Sequence, residues 1–388
     1  MQPLVPSKPP SLALDYRPAL FSRSGIARVT RELARTLAPL LAEIQSPLRL
    51  YGHGFRSCLP AAEPPASATL HRSRLPGRFI NTLAPLGLDA WSLSGKPQNF
   101  LWTDYVYPPI DLHRPCKVWM LVHDLAFIED PRFHGPKASC KLRRRFEKAL
   151  LRADHILYPS EATRQALLHY YPKTMQDSPS CLLPFGLDHV PTPPLSRVQA
   201  AKARAATLLQ TSEPYLVILG TLEPRKNHDK LLSALQLLAS RGTQIPLLVI
   251  GAAGWLSRDL QEALKKGTPR KGTPSFPLAW TGSIPDKDLF PLVAGAAGLV
   301  YPSSLEGFGF PPLEALLLGT PVLAGDCPAL RETLGSQPGA LFAKGEVPED
   351  LAEKIPQLLG ARTGSCEELR KKTWQKTAQF FLEQIHPQ

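Results

Sequence analysis

Short apolar runs alternate with helix-like stretches along all 388 residues of the chain. In the first half the runs cover 11–14, 48–51, 99–102, 118–122, 156–158 and 181–183. In the second they cover 215–219, 247–250, 278–280, 298–301 and 321–324. Runs this short and this uniformly apolar suit strands covered by helices on both faces, the arrangement of a parallel sheet. Between them, Ile26, Val29, Leu33, Leu37 and Leu40 keep one face of a helix, and Leu231, Leu232, Leu235 and Leu238 do the same after Asn227. The pattern predicts an α/β protein in which one strand–helix plan is used twice. The proline-rich stretch 190–195 reads as a linker. The expected division is 1–190, 191–365 and a terminal segment 366–388, where Trp374, Phe380 and Phe381 mark an amphipathic helix. The Pro/Ala-rich stretch 60–66 reads as a loop.

Residues with chemical potential collect where strands end. Glu306-Gly-Phe-Gly-Phe-Pro-Pro-Leu-Glu314 follows the run 298–301 and leads into an expected helix at 313–318, with Glu314 in its first turn. Its glycines allow close approach of backbone to a ligand. The helix start offers free N–H groups to an anion, and the carboxylates accept hydrogen bonds from hydroxyls. Gly25 follows the first run, His123-Asp124 the run 118–122, and Arg225-Lys226-Asn227 the run 215–219. The carboxyl edge is where open α/β sheets bind ligands. If the two sheets face each other across a cleft, the four groups converge there.

Composition narrows the reading. The net charge of +12 is uneven, with 24 Lys and Arg against 15 Asp and Glu in residues 1–190, and 21 against 18 in the rest. The densest basic run is 137–152, with Lys141, Arg143, Arg144, Arg145, Lys148 and Arg152 opposite Leu142, Phe146, Ala149 and Leu150. Such a helix is either a solvated face or a surface for an anionic membrane. It lacks interleaved aromatics and no nucleic-acid motif appears, so nucleic acid is not expected as a partner. No apolar stretch reaches the roughly 18 residues of a membrane span, and 1–10 lacks the apolar core of a secretory signal. Six cysteines without C-x-x-C spacing read as reduced thiols. The expected location is cytoplasmic, with a peripheral place at the inner face of the cell membrane as an option.

These motifs, in this order, resemble the retaining glycosyltransferases of family 4, with the GT-B architecture of two facing Rossmann-like domains. Glu306 and Glu314 match that family's E-x7-E motif. Gly220-Thr-Leu-Glu-Pro-Arg-Lys-Asn227 resembles its phosphate-binding loop, and Pro184-Phe-Gly-Leu-Asp188 the segment before its linker. Val122-His-Asp-Leu125, Tyr158-Pro-Ser-Glu-Ala-Thr163 and the opening from Asp15-Tyr-Arg-Pro18 to Ser24-Gly-Ile-Ala-Arg28 resemble its amino-domain signatures. Thr221 stands where many members carry an arginine, which leaves the phosphate work to Arg225 and Lys226. The variant loop resembles a mannosyltransferase-like subgroup of surface-polysaccharide assembly.

The resemblance implies roles. His123, Arg225, Lys226 and Glu306 form the catalytic set. The donor is held by Gly25, Ser283, Ile284, Gly307, Phe308, Gly309, Phe310, Leu313 and Glu314, with Glu314 on the nucleotide ribose and the backbone around 281–284 near the base. The implied reaction moves a hexosyl group, with a lean towards mannosyl from GDP-mannose, from a nucleoside-diphosphate sugar to a hydroxyl of a glycan or lipid-linked acceptor. No cofactor and no metal are expected. Asp286-Lys-Asp288 spells D-x-D, a metal motif of a different glycosyltransferase architecture, but its place before Leu289-Phe290 reads as helix capping. A nucleotide-sugar epimerase with the same two-domain plan and a noncatalytic carbohydrate- or membrane-binding protein stand as alternatives.

Overall fold

The computed structural model of the protein describes residues 11–54, 63–83, 86–104, 115–255, 258–267 and 275–385. The opening stretch 1–10, Cys58, His113 and residues 60–62 of the expected loop lie outside these. The chain divides into two units, one of residues 1–125, 137–186 and 373–388, the other of 126–136 and 187–372.

Among the described residues the first unit carries seven parallel strands: β1 (Leu12–Asp15), β2 (Leu48–His53), β3 (Ala68–Ser73), β4 (Asn99–Trp102), β5 (Lys117–Leu121), β6 (His155–Tyr158) and β7 (Ser180–Leu182), in the order β3-β2-β1-β4-β5-β6-β7. Leu14 lies opposite Leu50 on one side and Leu101 on the other, and all three are fully buried. Helix Gly25–Glu43 follows β1, its start capped by the Ser24 side chain, which accepts from the Ala27 amide. Its apolar face buries Val29, Leu33, Leu37 and Leu41. The terminal helix Trp374–Ile385 packs in this unit, with Phe381 edge-on to Trp119 and Trp374 against Phe185. The basic run forms helix Pro136–Arg152, burying Phe146, Ala149 and Leu150 and exposing Lys137, Lys141, Arg143, Arg144 and Lys148.

Among the described residues the second unit carries six parallel strands: β8 (Leu216–Leu219), β9 (Leu247–Ile250), β10 (Leu278–Trp280), β11 (Gly298–Tyr301), β12 (Val322–Gly325) and β13 (Ala340–Ala343), in the order β10-β9-β8-β11-β12-β13. Strands β8, β9, β11 and β12 are buried at every position, so their sequence reads as unbroken apolar runs. Leu231, Leu235, Leu351 and Ile355 from two helices join Leu216, Val249, Val300 and Leu323 in one core. Each such side chain contributes about 1.5–3 kcal/mol when fully buried.

Several expectations are corrected. Strands β3 and β13 went unpredicted: both are edge strands, half exposed along much of their length, and β3 carries no continuous apolar run, whereas β13 is a short apolar run, Ala340-Leu-Phe-Ala343, that the pattern reading passed over. The helix at the E-x7-E segment is Phe310–Leu317, beginning three residues before 313. Pro311 and Pro312 sit within its first turn, where the missing N–H costs nothing, and Glu314 is its fifth residue rather than part of that turn. Asp286 and Asp288 lie in the first turn of helix Asp286–Ala294, whose cap is Pro285, so they are dipole partners and not caps. Arg152 is not on the exposed basic face. It is buried, donates to the Cys116 carbonyl at 2.8 Å and pairs with Asp154 at 2.9 Å.

Candidate functional site

Both sheets reverse their strand order once, between β1 and β4 in the first unit and between β8 and β11 in the second. The carboxyl ends flanking such a reversal form a crevice over the sheet. The loop after β8 runs through a single 3₁₀ turn, Pro224–Lys226, and ends on Asn227 in the left-handed region at φ +53°. The Asn227 amide donates to the Pro302 carbonyl and the Ser304 hydroxyl, both at 2.7 Å, and the Ser304 amide donates to the Arg225 carbonyl at 2.9 Å. These bonds tie the β8 loop to the β11 loop and fix Lys226 opposite Glu306, 80 positions away in sequence. Gly325 at the end of β12 makes room for this, because a Cβ there would lie 2.1 Å from the Ser303 carbonyl oxygen.

The Lys226 ammonium donates to both the Tyr301 hydroxyl and Glu306 Oε1. The same oxygen accepts from Ser303 at 2.6 Å, from Tyr301 at 3.0 Å, and lies 3.0 Å from an Arg225 guanidinium nitrogen. Arg225 also donates to Glu223 at 2.8 Å and to the Leu305 carbonyl at 2.7 Å. The hydrogen bonds of Lys226, Tyr301 and Ser303 to Glu306 converge on Oε1. Burial alone would raise the Glu306 carboxyl, but Arg225 and Lys226 outweigh it and hold the group at about 2. It is ionised across the working range and serves as an acceptor, never as an acid. Burial pushes Lys226 down, Arg225 adds to that, and Glu306 opposes both. Two cations meet two carboxylates here, so an incoming phosphate finds hydrogen-bond donors whose charge is already partly balanced.

Glu314 lies one helical turn inside helix Phe310–Leu317, 3% exposed, with Oε1 2.9 Å from Nε2 of His189. A carboxylate only accepts, so His189 donates. The imidazole is flanked by the Phe310 ring at 5.7 Å, and Phe308 and Phe310 are themselves 4.9 Å apart. Gly309 enters this helix at φ +85°, a conformation glycine adopts without cost. Gly307, Phe308, Gly309, Phe310 and Leu313 are all buried, while Ser283 is exposed and Ile284 half-buried on the turn after β10. Within this unit the structure therefore brings Arg225, Lys226 and Glu306 into direct contact. Glu314 belongs to a separate pair with His189.

In the first unit, Gly25 is exposed at the start of helix Gly25–Glu43. His123 follows β5 and places Nε2 2.9 Å from the Thr103 carbonyl. A carbonyl cannot donate, so Nε2 carries the proton. Burial lowers the His123 pKa and this hydrogen bond opposes the shift. The Thr103 hydroxyl donates to the Asp15 carbonyl at 2.8 Å, and Asp15 forms a buried pair with Arg17 at 2.5 Å, joining the ends of β1 and β4.

Sequence reasoning missed His189, Tyr301 and Ser303. His189 directly follows the Pro184–Asp188 motif, and only that adjacency signals it. Tyr301 was absorbed in a strand run, where an aromatic residue is ordinary.

A fold of two parallel-sheet units with a cation–carboxylate site at the reversal of the second sheet defines a glycosyltransferase of GT-B architecture. Residues 199–379 match the model of "Glycosyl transferases group 1". The chain is 28% identical, over 82% of its own length and 83% of the relative's, to "O-antigen chain mannosyltransferase B" of Escherichia coli. Among solved structures it is similar to sucrose-phosphate synthase from Thermosynechococcus elongatus, with a TM-score of 0.73 at 18% identity over 97% of this chain and 98% of that one. It is also similar to WaaG, a glycosyltransferase involved in lipopolysaccharide biosynthesis, with a TM-score of 0.63 at 16% identity over 96% and 95%. At these identities the structural likenesses speak for the fold.

Proposed function

We propose that the protein transfers a mannosyl group from GDP-mannose, with retention of anomeric configuration, to a hydroxyl of a glycan or lipid-linked acceptor in surface-polysaccharide assembly. The observation that carries this reading is the Lys226–Glu306–Arg225 contact at the strand-order reversal. In the proposed reaction the bond from the anomeric carbon to the leaving phosphate breaks as the bond to the acceptor oxygen forms on the same face. The acceptor's proton passes to the leaving phosphate. Lys226 and Arg225 stabilise the charge that develops there. Glu314, steadied by His189, accepts from the nucleotide ribose. His123, whose proton Thr103 holds on Nε2, keeps Nδ1 as an acceptor for a sugar hydroxyl. Neither a metal nor a cofactor takes part. The mannosyl lean rests on the likeness to the mannosyltransferase of E. coli and on the Gly220–Asn227 loop.

The test is a panel of nucleoside-diphosphate sugars read by thermal shift, then transfer to a lipid-linked or glycan acceptor with the new linkage read by NMR. GDP-mannose should give the largest shift and an α-linked product. A β-linked product refutes retention, and stabilisation by another sugar nucleotide in its place refutes the donor. For the acceptor side, the exposed cations of helix Pro136–Arg152, beside Leu151 at 78% exposed, suit an anionic membrane surface. Failure to float with anionic liposomes at low salt would count against that placement. Among the described residues, no helix is long and apolar enough to cross a membrane.

A further inference from the structure

Tyr301 closes β11 at the strand-order reversal and is 2% exposed. Its hydroxyl accepts from Lys226 and donates to Glu306 Oε1 at 3.0 Å. Its ring also lies under the same ammonium, with Nζ 4.5 Å from the centroid. The residue thus meets the buried cation twice, through a hydrogen bond and through the ring face. It bridges that cation to the carboxylate the transfer is assigned to use. We propose that Tyr301 is a positioning residue for the transfer. Its hydroxyl ties the Lys226 ammonium to Glu306 Oε1, which aims the ammonium at the leaving phosphate. This rests on the donor-site reading above. Burial, and Glu306 after it, push the phenol far above its ordinary pKa. Tyr301 therefore remains a neutral donor to the carboxylate throughout the working range.

The chemistry separates positioning from mere packing. Tyr301→Phe keeps the ring beneath the ammonium and the volume of the core, and removes only the bridge. Lys226 then has one acceptor fewer in a buried site, so its pKa should fall further. With GDP-mannose, Tyr301→Phe should lose about ten- to a hundredfold in kcat, the worth of one charge-assisted hydrogen bond in rate. The donor KM should stay within about threefold, because the bridge orients groups for the transition state more than it binds the ground state. The basic limb of the kcat profile should move to lower pH. Tyr301→Leu, which loses the ring as well, should move it further.

The ammonium's own titration can be followed by NMR of ¹³Cε-labelled lysine, with the Lys226 signal identified by its loss in Lys226→Arg. It should shift down in Tyr301→Phe. A purely structural Tyr301 would lower Tm and the active fraction while leaving both the pH limb and the NMR titration where they are. Wild-type kcat with an unmoved Lys226 titration overturns the proposal. If the wild-type protein releases no GDP from GDP-mannose, the donor reading fails instead, and the Lys226 titration still decides whether Tyr301 holds that side chain.

Discussion

His228 opens helix His228–Ser240 directly after the Lys226 loop, and it is 2% exposed. Neither ring nitrogen has a hydrogen-bond partner. Burial, reinforced by the charge of Lys226, lowers its pKa from the ordinary 6.5 to about 3. The folded protein holds this imidazole neutral, whereas the unfolded chain protonates it below 6.5. A depressed folded pKa gives stability that is fully present above 6.5 and is lost as the pH falls from there towards 3. Each unit of pH in that window costs about 1.4 kcal/mol. At pH 5, roughly 1.5 units below the unfolded pKa, the loss from this one side chain is about 2 kcal/mol. That is a large share of the roughly 5–15 kcal/mol that holds a typical native fold.

The perturbation is His228→Leu, which removes both the titration and the two unpaired nitrogens, and which should be neutral or mildly stabilising at pH 8. Urea unfolding of both proteins at pH 8 and pH 5 gives four free energies. The variant's advantage should grow by about 2 kcal/mol between the two pH values. His53, whose pKa burial and Arg17 lower to about 4, titrates in the same window. It is present in both proteins, so its contribution cancels in the comparison. Glu306 loses its share of stability only as the pH falls from 4.5 towards 2, below the measured interval of pH 8 to 5. Parallel loss of stability in the two proteins would refute the argument, since it would mean that His228 is solvated or paired in solution.

Other consequences are as direct. Lys226→Ala should lower kcat at least a hundredfold while the nucleotide still binds, because the charge stabilisation acts on the leaving phosphate. GDP release and GDP titration measured side by side would show it, and equal rates would remove Lys226 from the mechanism. His189→Ala leaves the buried Glu314 carboxylate without its imidazole donor. It should weaken GDP binding by about tenfold, and unchanged calorimetric affinity would place Glu314 outside the donor site. Gly325→Ala drives a Cβ to within 2.1 Å of the Ser303 carbonyl. The backbone under Glu306 must shift, which should cost about 1–3 kcal/mol of stability and reduce transfer, and a wild-type Tm would contradict the packing described.

The periodicity of this chain determined that it forms parallel sheets with helices on both faces. Strands buried on both faces must be apolar at every position, and β8, β9, β11 and β12 announce themselves that way. The segment from Glu306 to Glu314 was legible for a similar reason, since closely spaced carboxylates, glycines and prolines after such a strand leave few structural options. Edge strand β3 was not legible, because exposure relaxes the demand for apolar residues, whereas β13 is an apolar run, Ala340-Leu-Phe-Ala343, that was passed over. Only the tertiary structure decided which side chains meet. Lys226 reaches Glu306 and Tyr301 because the chain crosses over to lay β11 beside β8, and nothing local encodes that neighbour. His189 reaches Glu314 across 125 positions. The choice of Glu306 Oε1 by four separate donors arises in the packed loops alone.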